Sequence, residues 1–243
     1  MILTAHQPVY LPWLGLFHKI ALADRYVCYD HVDHSSYDYT AKNQVNSANG
    51  PVQLVVPLKR HHGQAQALKD VQIENATPWQ RKHHKALCLA YSKAPYFAQY
   101  EPWLAEFYAT RWTHITPMNN ALLQWLLQQL GIPREIELSS ALGLAGAKSD
   151  AALDMSRKLG ARALIFGTQG RGYADVDSFH AAGIAPIFQS YQHPQYPQVH
   201  GRQFGSHLSV LDLLFNAGPR SLEILMSGNL SREQLEADLE CLV

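Results

Sequence analysis

Cysteine is scarce in this 243-residue chain, and its three copies, Cys28, Cys88 and Cys241, are widely spaced with no Cys-x-x-Cys pair. That arrangement indicates neither a disulfide framework nor a paired-thiolate zinc site, so all three read as reduced thiols, Cys28 within a strand. Long apolar runs are missing too. No stretch approaches the roughly 20 residues that cross a bilayer, and the opening MILTAHQPVY lacks the basic-then-apolar order of a signal peptide. A cytoplasmic protein without membrane insertion is expected. Charge of one sign is also absent, because twenty basic residues balance twenty acidic ones. Nucleic acid is therefore not an expected partner, since binding it requires a surplus of positive charge against phosphate. Among catalytic signatures there is no His-Glu-x-x-His and no Gly-x-Ser-x-Gly elbow, and GTQGRG at 167–172 fits neither a P-loop nor the dinucleotide fingerprint. Ser139-Ser140 follows a strand without the elbow, while Cys28 and Cys88 sit in apolar segments, so no covalent nucleophile is indicated.

What is present is a 47% apolar composition, enough to bury one sizeable core, and one compact domain over 1–243 is expected. Thirteen histidines are many for this length. His61-His62 and His83-His84 are adjacent pairs in polar stretches, which favours solvated surface over metal or acid/base roles.

The chain opens as strand, proline-punctuated loop, helix and strand. Met1 to Thr4 is apolar, Pro12 suits a first helical turn, and Trp13, Leu14, Phe17, Ile20 and Ala21 recur at helical spacing before DRYVCY resumes a β-rich run. Two strands flanking a helix within about 30 residues match a βαβ unit with parallel strands. Residues 31–50 are polar and predict a long loop of the kind that serves as a lid or binding segment. VQLVVPL and VQIE predict strands at 52–58 and 71–74. A helical annex follows over 77–130, opened by a Thr77–Gln80 capping box and continued by helices at 103–112 and 118–130, whose aromatics read as core. Beyond Pro133 the alternation returns, with strands at 135–138, 163–166 and 184–188, a helix at 150–159, and closing helices from Val210 and from the Ser231–Gln234 capping box. The expected fold class is α/β, a mostly parallel, Rossmann-like sheet covered by helices, in which elements before 76 and after 134 join in one sheet.

Three polar segments fall beside strand ends, where open parallel sheets bind ligands. They are AHQPVYLP, FGTQGRGYAD, and QHPQYPQVHGRQFGSHLSVLDLLFN. His6 directly follows a strand and has two readings, a general acid or base or a loop-capping imidazole. His193, the second candidate catalytic histidine or else part of a structural turn, is held extended by Pro194, with Tyr196 and Gln198 alternating behind it, and Asp175 is available to orient an imidazole, as Asp24 or Asp30 is from the other half. Gly167, Gly170 and Gly172 allow close backbone approach to an anion or serve simply as turns. Gln7, Tyr10, Asp30, Asn43, Tyr173, Tyr196 and Gln198 complete the candidate substrate-binding set. Asp212, inside a helix, favours a structural role. His6, His193, His200 and Asp175 converging on a metal is the lesser alternative, and no metal or cofactor is assigned.

The same segments carry a family resemblance. His6, Gln7, Pro8, Tyr10 to Trp13, Gly15, Lys19, Ile20 and Asp24, then Lys93 to Phe97, then Gly167 to Asp175, and finally His193, Pro194, Tyr196, Gln198, Phe204, Leu208, Ser209 and Asp212 to Gly218 resemble, in order, the motifs of the WbqC-like protein family. The chain departs from that pattern in reading Lys42-Asn43-Gln44 where the family commonly has an Asn-Arg pair. The resemblance implies involvement in bacterial surface-polysaccharide or small-metabolite biosynthesis, and hence group transfer to a sugar or amine. The expected partner is a small-molecule substrate with an activated acyl or nucleotide donor. An ATP-dependent nucleotidyltransferase-like ligase and a non-catalytic binding module are the competing readings.

Overall fold

Burial on both faces turns apolar runs into parallel strands here, and the computed structural model, which describes residues 1–35, 38–59, 65–200 and 204–241, shows where they assemble. The chain forms strand β1 (Ile2–His6), helix α1 (Leu14–Leu22), strands β2 (Arg25–Cys28), β3 (Lys42–Val45) and β4 (Val52–Val55), and helices α2 (Trp79–Tyr91), α3 (Phe97–Ala109) and α4 (Ile115–Gln129). Strand β5 (Ile136–Leu138), helix α5 (Ser149–Lys158), strand β6 (Ala163–Phe166), helix α6 (Val176–Ala181), strand β7 (Ala185–Phe188) and helices α7 (Val210–Ala217), α8 (Ser221–Met226) and α9 (Arg232–Glu240) follow.

Five strands make one all-parallel sheet in the order β5-β2-β1-β6-β7. Side chains alternate across it as the strand period requires. Leu3, Val27, Leu164 and Phe166 pack with Ala152, Met155 and Phe179 of α5 and α6, whereas Ile2, Ala163 and Ile165 meet Leu235 and Leu239 of α9. On that second side Tyr26 and Cys28 join the largest core cluster with Leu14 and Phe17 of α1 and residues of α2 to α4 and α7. The aromatics of the helical annex are core, with Trp103 stacked on Trp125 at 4.1 Å between ring centroids.

Several local expectations need correction. Val52–Val55 does not enter the main sheet but pairs antiparallel with β3, a strand lying inside the segment expected to be loop. Residues 71–74 are extended but make only isolated bridges, Leu58 to Ile73 and Gln72 to His114. The Thr77 capping box is absent because Pro78 occupies the N-cap, shifting the helix start by one residue out of the box register, while the Ser231–Gln234 box forms. Pro12 precedes the first helix, whose N-cap is Trp13. His83 is buried rather than solvated, and His61 and His62 lie outside the described residues.

Candidate functional site

Counting only its own members, the parallel sheet has the order 3-2-1-4-5, and the direction of winding reverses between β1 and β6. In open α/β sheets that reversal leaves a crevice outside the carboxyl ends of the two strands, the usual place for a ligand. His6 ends β1, and Gly167 follows β6 directly, so two of the three polar segments emerge there.

The His6 ring contacts Trp13 edge-on at 5.4 Å, and its Nδ1 lies 2.9 Å from the Gln7 carbonyl. A carbonyl only accepts, so Nδ1 carries the proton and Nε2 presents the lone pair. Burial, reinforced by the positive charge of Lys19 and only partly opposed by the Gln7 carbonyl, lowers the imidazole to about 3. His6 is thus neutral at physiological pH. Lys19 itself is buried beneath the strand end, donates to the Ala5 carbonyl at 2.7 Å, and is lowered by burial to about 7. Beside His6 across the sheet stands Tyr29, whose amide donates to the His6 carbonyl. Burial raises the Tyr29 hydroxyl, and the nearby Tyr173 hydroxyl raises it further; the Tyr173 ring itself meets Phe166, the last residue of β6, edge-on at 6.0 Å.

The next strand pair supplies an arrangement that no sequence motif announced. Asp30 follows β2, Ser139 and Ser140 follow β5, and these strands are adjacent. Ser139 Oγ and the Ser140 amide donate to Asp30 Oδ1 at 2.9 and 2.8 Å, and Ser140 Oγ donates to Oδ2 at 2.6 Å. Ser139 Oγ also accepts from the Asp30 amide at 3.1 Å and lies 2.6 Å from His31 Nδ1. With its single proton committed to Asp30, Ser139 accepts from His31, whose Nε2 is left with the lone pair. Ser139 is fully buried, which suits it to orient the half-buried His31 rather than to attack a substrate.

The remaining candidates are placed as follows. Asp175 caps α6, its oxygens accepting from the Ser178 amide and hydroxyl, so its carboxylate faces a helix end rather than an imidazole. Tyr10 is fully buried, its hydroxyl 2.8 Å from His83 Nδ1 and 2.6 Å from the Tyr108 hydroxyl. Asn43 is buried and donates to the Leu11 carbonyl at 2.6 Å. Gly170 is packed against Phe166, where an added Cβ would stand 2.5 Å from that residue's Cβ, whereas Gly167 and Gly172 have open space. Tyr196 and Gln198 donate to Asp212 at 3.0 and 2.7 Å, and Tyr91 adds a third hydroxyl at 2.9 Å. His193 stacks on Tyr196 with 6.3 Å between centroids, donates through Nδ1 to the Pro194 carbonyl, and lies 5.9 Å from the His207 ring. Its Nε2 is buried without a partner among the described residues. Burial lowers its pKa, the Pro194 carbonyl partly offsetting this. His200 contacts the Ala90 carbonyl, and Arg202 lies outside the described residues.

The structure thus sets His6 at the end of β1 against Trp13 and Tyr173 against Phe166 at the end of β6, while Tyr196 and Gln198 gather around Asp212 in a polar node. The sheet edge also holds Lys19, His31 and Ser139, which sequence reasoning had not assigned to the site. A depression of about 620 Å³ lies elsewhere, lined by Lys59, Gln72, Glu74, Arg111 and His114, and none of the edge residues borders it.

Comparison with known proteins agrees with the motif pattern. The model of the WbqC-like protein family matches residues 7–224. The chain is also 29% identical over 221 residues to a Mycobacterium tuberculosis (strain ATCC 25618 / H37Rv) protein named uncharacterized protein Rv1507c, covering 90% of this chain and 95% of the relative. No solved structure matches.

Proposed function

This chain belongs to the WbqC-like protein family, and from that premise we propose that it is a group transferase. In this reading it moves an acyl- or aminoacyl-type group from an activated donor to an amine or hydroxyl of a sugar or comparable small metabolite, in the service of bacterial surface-polysaccharide or small-metabolite biosynthesis. The observation that carries the reading is the imidazole of His31, backed by Ser139 and Asp30, at the carboxyl edge of a sheet whose winding reverses one strand away.

The donor lies along the crevice between β1 and β6, where the open space at Gly167 admits it. His31 Nε2 takes the proton from the acceptor as its nitrogen or oxygen attacks the donor's carbonyl carbon. The resulting imidazolium is stabilised through Ser139 by the Asp30 carboxylate and returns its proton to the departing group. Acceptor and donor then exchange one group for one proton, with no enzyme adduct. His6, held neutral by burial and Lys19, is a hydrogen-bond acceptor that positions the acceptor rather than a base, because an imidazole lowered to about 3 has little affinity for a proton at neutral pH.

A thermal-shift panel of coenzyme A thioesters, nucleotide sugars and ATP with Mg²⁺ tests the donor crevice. At least one class is expected to raise the Tm of the wild-type protein, and Gly167→Val, which fills open space without a packing clash, is expected to remove that rise. ATP alone producing the rise would favour a nucleotide-dependent ligase over direct group transfer. No shift with any member, or an equal shift in the variant, would contradict the placement of the donor.

A further inference from the structure

The helical layer carries a group of ligand-type side chains that the sheet edge does not use. His84 and Cys88 stand four residues apart on α2, so helical periodicity puts them one above the other on one face, and Glu101 approaches them from α3. His84 Nε2 lies 3.0 Å from Glu101 Oε1 and 3.6 Å from Cys88 Sγ, and the three ligand atoms all fall within 4.8 Å of one another.

These separations resemble the edges of a coordination tetrahedron. With Zn–N and Zn–O near 2.0 Å and Zn–S about 2.3 Å, tetrahedral angles place nitrogen about 3.6 Å from sulfur and about 3.3 Å from oxygen. The third edge, Cys88 Sγ to the Glu101 carboxylate, is within 4.8 Å, so these two side chains close by about 1 Å at most to meet the ion. The His84 ring is stacked on Tyr108, which fixes its plane, and the His84 and Glu101 side chains keep 27% and 34% exposure, so an ion and a water reach the group from solvent. Charge also balances, since one thiolate and one carboxylate neutralise a divalent cation while the imidazole stays neutral. A nitrogen, sulfur and oxygen ligand set of this kind suits zinc rather than calcium or magnesium, which take oxygen ligands.

We propose that His84, Cys88 and Glu101 form a zinc-binding site that joins α2 to α3, with its fourth position held by water. Binding releases the Cys88 thiol proton to solvent and leaves the oxidation states unchanged. The alternative is that the three groups are only a hydrogen-bonded surface cluster, and the test separates the two.

Untagged full-length protein, stripped with chelator, is titrated with Co²⁺ and then with Zn²⁺ against a chromophoric chelator. The expected result is saturation at one equivalent per chain, with a thiolate-to-cobalt charge-transfer band and the strong visible absorption of a tetrahedral ion, both displaced by Zn²⁺. Cys88→Ser is expected to lose the charge-transfer band, whereas Cys28→Ser and Cys241→Ser retain it. Glu101→Gln, a change on a partly exposed side chain that leaves the core untouched, is expected to weaken Zn²⁺ binding by more than about tenfold. Circular dichroism establishes that each variant is folded. Absence of saturable one-equivalent binding, a charge-transfer band that survives Cys88→Ser, or unchanged affinity in folded Glu101→Gln would overturn the proposal.

Discussion

Replacing Asp212 with alanine is expected to destabilise the protein by about 3–5 kcal/mol, because the carboxylate is the common acceptor for two buried hydroxyls and one half-buried amide. Tyr91, Tyr196 and Gln198 converge on it, and Asp212 is completely enclosed. Burial raises its pKa while the three hydrogen bonds oppose the rise. Alanine removes the acceptor and leaves the two buried hydroxyls out of reach of water, each bearing its own desolvation cost, while the half-buried Gln198 amide keeps the Gly205 carbonyl. The node also ties distant segments together. The Tyr91 hydroxyl accepts from the Asn46 amide at the end of the β3 strand, so α2, the hairpin, the 193–198 segment and α7 all depend on one side chain. Asp212→Asn keeps the shape but presents an NH₂ to at least one donor, and about 1–3 kcal/mol is expected. Urea denaturation measures both changes. A loss below about 1 kcal/mol for Asp212→Ala would show that the donors find other partners.

The second large effect is expected at Gly218, which ends α7 at φ 53° and ψ −124°. A Cβ there would lie 2.4–2.6 Å from the Tyr96 ring, which is anchored through its amide to the Phe215 carbonyl. Gly218→Ala therefore meets both a backbone conformation that side chains disfavour and a ring whose Cγ, next to a backbone that the Tyr96 amide fixes to Phe215, has little room to give. A loss of about 2–4 kcal/mol is expected. Gly160, also at positive φ but with nothing within 4 Å of an added Cβ, separates the two causes, since Gly160→Ala is expected to cost only about 1 kcal/mol. Truncating Tyr96 in the Gly218→Ala background is expected to recover at least about 1 kcal/mol as a coupling energy, whereas strict additivity would mean that the clash is relieved elsewhere.

These two sites also show what was legible in the sequence. The parallel sheet was legible because β1, β2, β6 and β7 are short apolar runs separated by helical periodicity, and that alternation leaves few topologies. The hairpin was not, because KNQV at β3 is polar and its pairing with Val52–Val55 depends on a partner that no local pattern names. Val71–Glu74 has strand composition and does find neighbours, Pro57–Lys59 on one side and Thr113–His114 on the other, but the pairings are isolated bridges rather than a ladder among the described residues. The burial of His83 is available in principle, since it lies four residues from both Trp79 and Leu87 on the inward face of α2, but its neighbours His84 and Lys85 give the local stretch a polar composition that masks that face. At the sheet edge, the strand ends are legible and say where the His6 and Gly167 loops emerge, whereas the His31–Ser139 contact joins residues 108 positions apart and has no sequence signature. Asp175 shows the limit of residue type as a guide: the same carboxylate that suits catalysis also suits the N-terminus of α6.

The most direct test of a transferase site at this edge is metabolite profiling of the purified protein. Wild type, His31→Ala and His31→Gln are incubated with a bacterial small-molecule extract supplemented with coenzyme A thioesters and nucleotide sugars, and mass spectrometry follows paired loss of donor and acceptor and gain of product. The wild-type protein is expected to produce a time-dependent product whose mass equals that of the acceptor plus the transferred group minus one hydrogen. Both His31 variants, with their fold verified by circular dichroism, are expected to form it about 10²–10⁴-fold more slowly, the range for loss of a general base. Equal product formation by wild type and folded His31→Ala, or product trapped covalently on the protein, would contradict direct transfer by His31 at the carboxyl edge of the sheet.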